Sequence, residues 1–175
     1  LLYRLLEMIE QRRLAAYGLY VSKADYTNCR FRAKEQQKLN SLPPAEKREW
    51  LKEAVYQIKN QMFARNDNKY LPDQIALLDG FMILLALQDE ICKAKSGKDI
   101  EKLKKIRAMV FLRNNSIFAH GLGPVPKSDY LKFKAFVQEL FKEFCVIEKI
   151  DFEAYLTAIT WLNPVQSEYY SKLEV

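Results

Sequence analysis

Apolar residues return every three or four positions through most of this chain, with few breaks between them. Leu2, Leu5, Leu6, Ile9 and Leu14 form one such stripe. Trp50, Leu51, Ala54, Val55 and Ile58 form another, and Phe133, Phe136, Val137, Leu140 and Phe144 a third. That spacing is the period of an α-helix buried along one side. Only five Gly and six Pro occur in 175 residues, of which 49% are hydrophobic, so the stripes belong to a folded core and not to a disordered chain. They predict an all-α fold, an antiparallel bundle of about five to six helices.

The punctuation between stripes sets expected boundaries. Gly18 suits the C-terminal cap of the first helix. Residues 19–41 are poorly periodic: Tyr20-Val21 is open to an extended conformation, and Phe31 to Leu39 to a short polar helix. Pro43-Pro44 followed by Ala45-Glu46-Lys47 starts a helix expected to reach about Met62. A loop over 64–71 precedes a helix expected from about Pro72 to Lys95. Asp99 is expected to cap the next helix, which runs on to Gly121–Pro126. Ser128 and Asp129 then open another. The tail from Asp151 carries Phe152, Tyr155, Leu156, Ile159 and Trp161, a short helix before Asn163-Pro164. The expected organisation is one helical domain over 1–148 with a helical extension over 149–175 packed on it. The first stripe begins with no Met and no Ser, Thr, Asp or Asn ahead of it, so the native protein is expected to continue upstream.

Net charge is +6 and the pI about 9.1, which favours an anionic partner, although a soluble domain with surplus lysine gives the same balance. Cys29, Cys92 and Cys145 are an odd set with no close pair, and one histidine supplies no histidine pair, so no metal site is expected. Reduced, buried thiols fit a cytoplasmic protein. No apolar run approaches the roughly 18 residues of a membrane span; Phe81 to Leu87 reads as a buried helix centre.

The sole histidine, His120, lies seven positions after Arg113 in Leu112-Arg113-Asn114-Asn115-Ser116-Ile117-Phe118-Ala119-His120-Gly121. On a helix, seven positions are almost two turns, so both side chains leave one side about 10 Å apart along the axis. A cation that never titrates and an imidazole that titrates near neutrality, on one stripe, suit work on a phosphate. Leu103, Ile106, Met109, Val110 and Ile117 project near this pair, while Phe111 and Phe118 point the opposite way. The helix is therefore expected to be apolar on two sides and central. Two readings stay open. Arg113 pairs with an internal carboxylate such as Glu7 and His120 is a hydrogen-bonded core residue, or the stripe lines a cleft and the partner is a substrate phosphate.

The segment resembles the signature of HEPN domains (higher eukaryotes and prokaryotes nucleotide-binding): an arginine, a polar residue, and a histidine after a spacer of four to six residues. Here the spacer is Asn114 to Ala119 and the polar residue is Asn114. The wording Arg-Asn-Asn-Ser-Ile-Phe-Ala-His-Gly, together with the opening Leu2 to Leu14, resembles the ribonuclease domain of CRISPR-associated type III ancillary proteins. In those proteins the domain follows a Rossmann-fold sensor (CARF). The resemblance covers roughly residues 1 to 145 and implies a HEPN-like bundle. It also implies a homodimer with a composite cleft and metal-independent cleavage of single-stranded RNA without a cofactor. Arg113, Asn114 and His120 become the implied catalytic residues. A cyclic oligoadenylate would enter only through an upstream domain absent here. Alternatives are a toxin-type HEPN ribonuclease under another regulator, or a non-catalytic helical dimerisation or nucleotide-binding module.

Four further residues are candidate RNA contacts. Lys102 projects onto the Arg113 side, although a solvated lysine run of Lys102, Lys104, Lys105 and Arg107 explains it too. Ser116 lies one turn after Arg113, where a helix-packing hydroxyl is the alternative. Arg30 and Arg32 flank Phe31, an interleaving of base and aromatic that suits single-stranded RNA.

Overall fold

The computed structural model describes residues 2–63, 69–94, 96–114, 126–151 and 153–154, with the backbone alone at Leu112 and Arg113. Among them are five α-helices: α1 (Leu2–Ala15), α2 (Pro44–Phe63), α3 (Leu77–Ala86), α4 (Asp99–Asn114) and α5 (Lys127–Glu148). Short 3-10 helices lie at Tyr26–Asn28, Lys34–Ser41 and Glu90–Cys92, and no strand occurs among the described residues. The fold is all-α, as the stripes predict.

α3 is the hub. Phe81, Ile83 and Leu84 are fully buried, and the helix packs on α1, α2 and α4. α1 contributes Leu6, Ile9 and Leu14, α2 contributes Leu51 and Val55, and α5 contributes Val137 and Leu140, all at most 1% exposed. Each such side chain stabilises the fold by roughly 1.5–3 kcal/mol relative to exposure. α4 buries Leu103 and Ile106, with Met109 and Val110 partly covered, but Phe111 is 69% exposed. The expectation that this helix is central and apolar on two sides is therefore corrected. Within this chain α4 is a surface helix with one buried stripe.

Three helices end in the same hydrogen-bonded turn. Gly18 (φ +79), Gln88 (φ +56) and Lys149 (φ +58) each occupy the left-handed region. In each case the amide of the next residue donates back to the carbonyl five positions earlier: Leu19 to Leu14, Asp89 to Leu84, Ile150 to Cys145. This is the Schellman motif, which satisfies carbonyls the helix leaves open. Gly18 was legible in advance; Gln88 and Lys149 were not.

The turn at Gln88 corrects the expected helix from Pro72 to Lys95, of which only Leu77–Ala86 is α-helical. Its front is pre-empted because Ala24 donates to the Asp73 carbonyl and Ile75 to that of Val21. Its rear stops where Asp89 turns inward. Val21 lies in a turn, not a strand, and the polar helix expected over 31–39 is a 3-10 helix starting at Lys34. Asp99 begins α4, yet its carboxylate accepts the Ala94 amide at 2.7 Å instead of capping its own helix. The tail helix from Asp151 lies outside the described residues beyond Ala154, whose amide bonds the Asp151 carboxylate at 3.0 Å.

A buried ionic cluster ties the ends of α1, α3 and α5 together. The Arg13 guanidinium donates through Nε and Nη2 to Asp89, Nη2 at 2.6 Å, and through Nη1 to Glu148 at 2.5 Å. Asp89 also accepts the Tyr17 hydroxyl at 2.8 Å and the Ile91 amide at 2.9 Å. Burial opposes the charge on Arg13, but its bonds to Asp89 and Glu148 outweigh that and hold its pKa above the usual value. Burial pushes the Tyr17 hydroxyl up as well, reinforced by Asp89. Replacing Asp89 by Ala leaves a buried guanidinium short of its main partner. The expected loss is about 3–5 kcal/mol of unfolding free energy, read from urea denaturation.

Glu10 is the opposite case. It is 2% exposed, its Oε1 finds no hydrogen-bond partner, and the carboxyl fills the notch left by Gly80 on α3. Burial, with a smaller contribution from the neighbouring Glu7, pushes its pKa up to about 8. The folded state therefore keeps a proton that the unfolded chain releases near pH 4.5. Its contribution is full below that pH and is lost as pH rises towards 8, at up to about 1.4 kcal/mol per pH unit. Urea midpoints taken from pH 5 to 8 should fall with pH in the wild type. In Glu10→Gln, which keeps the shape without the titration, this component of the decline should vanish.

Candidate active site

α4 carries Arg113, the arginine of the sequence signature. Glu101 in its first turn suits the positive end of the helix dipole, and Arg113 occupies the last turn, where a cation offsets the negative end. Six basic residues on or just before α4 (Lys98, Lys102, Lys104, Lys105, Arg107, Arg113) face two acidic ones, Asp99 and Glu101. Asn114 closes the helix and is exposed. Ser116 and His120 lie outside the described residues, in the stretch that joins α4 to α5 in sequence.

The remaining candidates fall into two places. The Lys102 ammonium donates to Glu143 Oε2 on α5 at 2.5 Å and to the Lys93 carbonyl at 3.2 Å, with its side chain 11% exposed. It borders a groove of about 240 Å³ between α4 and α5, lined also by Lys98, Lys105, Phe136 and Leu140. Arg30 and Arg32 are exposed at the end of α1: Arg32 stacks over Tyr17 at 5.8 Å, and the Arg30 amide donates to the Tyr17 carbonyl. Phe31, between them, is buried and meets Trp50 edge-on at 5.1 Å, so it serves the core and offers no ring to a base. Glu7, the carboxylate suggested for Arg113, binds Arg4 at 2.8 Å.

Sequence reasoning missed Arg13, Asp89, Glu148, Glu143 and Glu10. A signal existed for two of them. Arg13 continues the Leu2–Leu6–Ile9 spacing, and Glu10 stands four positions from both Leu6 and Leu14, so each occupies a core position of α1. Asp79 and Asp89 are engaged by Lys59 at 3.3 Å and by Arg13. Among the described residues, no group of three or more His, Cys, Asp or Glu converges on one point, and no helix is long and apolar enough to cross a membrane.

The three cysteines are free and buried. Burial pushes the Cys29 thiol up to about 12 and that of Cys92 well above its ordinary value. Native protein at pH 8 should leave all three thiols unreacted with Ellman's reagent over minutes, and unfolding in guanidinium should release all three.

A family model described as the Csm6 HEPN domain matches residues 1–143. No curated protein and no solved structure matches the chain.

Proposed function

The chain belongs to the Csm6 HEPN domain family, and from that membership we propose that it is a CRISPR-associated endoribonuclease acting on single-stranded RNA. The observation that carries the reading is the sequence Arg113-Asn114 followed six positions later by His120, with Arg113 and Asn114 closing a basic helix. The catalytic unit in this reading is residues 1–148, and from 155 onward the segment 149–175 lies outside the described residues.

The reaction is internal phosphoryl transfer. The ribose 2′-oxygen attacks the adjacent phosphorus, the bond to the 5′-oxygen breaks, and the products are a 2′,3′-cyclic phosphate and a 5′-hydroxyl. One proton leaves the 2′-hydroxyl and one reaches the departing 5′-oxygen. The nucleophile belongs to the substrate, so no metal-bound water has to be generated. Arg113 holds the phosphate and stabilises charge developing on its oxygens. His120 moves a proton as acid or base, or donates a hydrogen bond to the phosphate. Asn114 orients the phosphate or the histidine. Ser116, Arg30 and Arg32 are secondary RNA contacts in this reading. Two copies pair about a two-fold axis, each contributing its Arg113 and His120 to one cleft. Regulation by a cyclic oligoadenylate belongs to a sensor domain outside this chain.

Labelled single-stranded RNA incubated in EDTA with wild type, Arg113→Ala and His120→Ala tests this. Wild type is expected to cleave and leave cyclic-phosphate ends, while each folded variant loses at least about 100-fold. Equal cleavage by wild type and the His120 variant would remove the assignment.

A further inference from the structure

Glu10 sits at the seam between α1 and α3. Its side chain lies so close to the α3 backbone that a Cβ at Gly80 would meet Oε1 at 1.7 Å and Cδ at 2.5 Å, and Oε1 has no hydrogen-bond partner. α3 reads Leu-Leu-Asp-Gly-Phe-Met-Ile-Leu-Leu-Ala, so none of its side chains can donate to an ionised carboxylate there. The Gly80 amide is already spent on the Ala76 carbonyl at 2.8 Å. The one charged residue of α3, Asp79, binds Lys59 of α2 at 3.3 Å. The cations of α1 itself are engaged too: Arg4 binds Glu7 at 2.8 Å, Arg12 binds Glu148 of α5, and Arg13 binds Glu148 and Asp89. Glu7, almost one turn before Glu10, is the charged group that acts on it, and it repels.

α1 is held unevenly on the two sides of Glu10. After it, the Arg13 cluster ties the helix to Asp89 and Glu148, and the Leu19 amide closes the end on Leu14. Before it, Leu6 and Ile9 are buried, but Leu2, Tyr3 and Leu5 are only partly covered, and Arg4 and Met8 are exposed. We propose that Glu10 is a proton-operated latch: neutral, it seats the first half of α1 on α3; ionised, it releases residues 2–10 while the Arg13 end stays anchored. An ionised Glu10 finds no donor at the seam, so its carboxylate reaches water only when this part of α1 leaves the Gly80 notch. A helical segment this short does not keep its hydrogen bonds without the packing. The opening is therefore local, distinct from unfolding of the whole bundle, and independent of what the chain does to RNA. The seated carboxyl keeps its proton up to about pH 8, whereas a freed one releases it near 4.5. Between those limits each pH unit favours opening about tenfold, and the effect levels off above them.

Hydrogen exchange of the full chain tests the latch, with wild type and Glu10→Gln compared from about pH 6 to 8 and each rate corrected for the intrinsic rate at that pH. In the wild type, the amides of Leu6–Glu10 are expected to be less protected than those of Leu51–Val55 and Val137–Leu140. Their protection should also fall about tenfold per pH unit. In Glu10→Gln, which keeps the shape without the titration, that fall should disappear. Protection of Leu6–Glu10 equal to that of the other two segments at every pH would mean that only global unfolding reaches Glu10, and overturns the proposal. So does protection of Leu6–Glu10 that is flat with pH in the wild type, or a slope that survives in Glu10→Gln. Should the variant misfold, the wild-type profile decides by itself, since both its level and its slope are specified.

Discussion

One buried guanidinium organises this bundle. Arg13 is carried into the interior by the helical spacing of α1, where an unpaired charge is not tolerated, so the fold has to bring carboxylates to it. Asp89 and Glu148 come from places 76 and 135 residues away in the chain. Bringing Asp89 in ends α3 with a left-handed Gln88 and turns the chain into the 3-10 helix at Glu90–Cys92. Bringing Glu148 in pins the end of α5. Apolar burial makes the helices cohere, but this cluster decides how their ends are arranged.

The same logic extends outward to the site. Residues 90–93 touch α4 and α5, and the Lys93 carbonyl accepts from Lys102, which in turn binds Glu143. A continuous polar path therefore runs from Arg13 through Asp89 and the 90–93 turn to the helix that carries Arg113. Helix α4 is held by one apolar stripe led by Leu103 and Ile106, with Ile100, Met109 and Val110 partly covered. A helix with one buried apolar stripe depends on these polar contacts for part of its placement.

Glu10 shows what the fold tolerates elsewhere. Its carboxyl fits against α3 only because position 80 lacks a side chain: a Cβ there would lie 1.7 Å from Oε1. The group is kept neutral by burial instead of being paired, the opposite solution to Arg13 only one helical turn away. The two residues divide α1 into a side that meets α3 through an uncharged acid and an end that meets α5 through a charged base.

Periodicity alone determined the helical class, and local chemistry placed the start of α2, the turn at Gly18 and the core residues of α5. Those depend on side-chain spacing and backbone preference within a few residues, which any reader of the chain can evaluate. The Arg113–Asn114–His120 spacing and the family it resembles were legible for the same reason: the signature is contiguous. What only the tertiary structure decided was long-range. The shortened α3, the inward turn at Asp89, the exposure of Phe111, and the commitment of Lys102 to Glu143 each follow from a partner at least 40 residues distant or from which helix packs on which. Pairing between distant residues has no local trace, because the free energy that selects it comes from burying charges and apolar faces together, and that exists only once the helices have met.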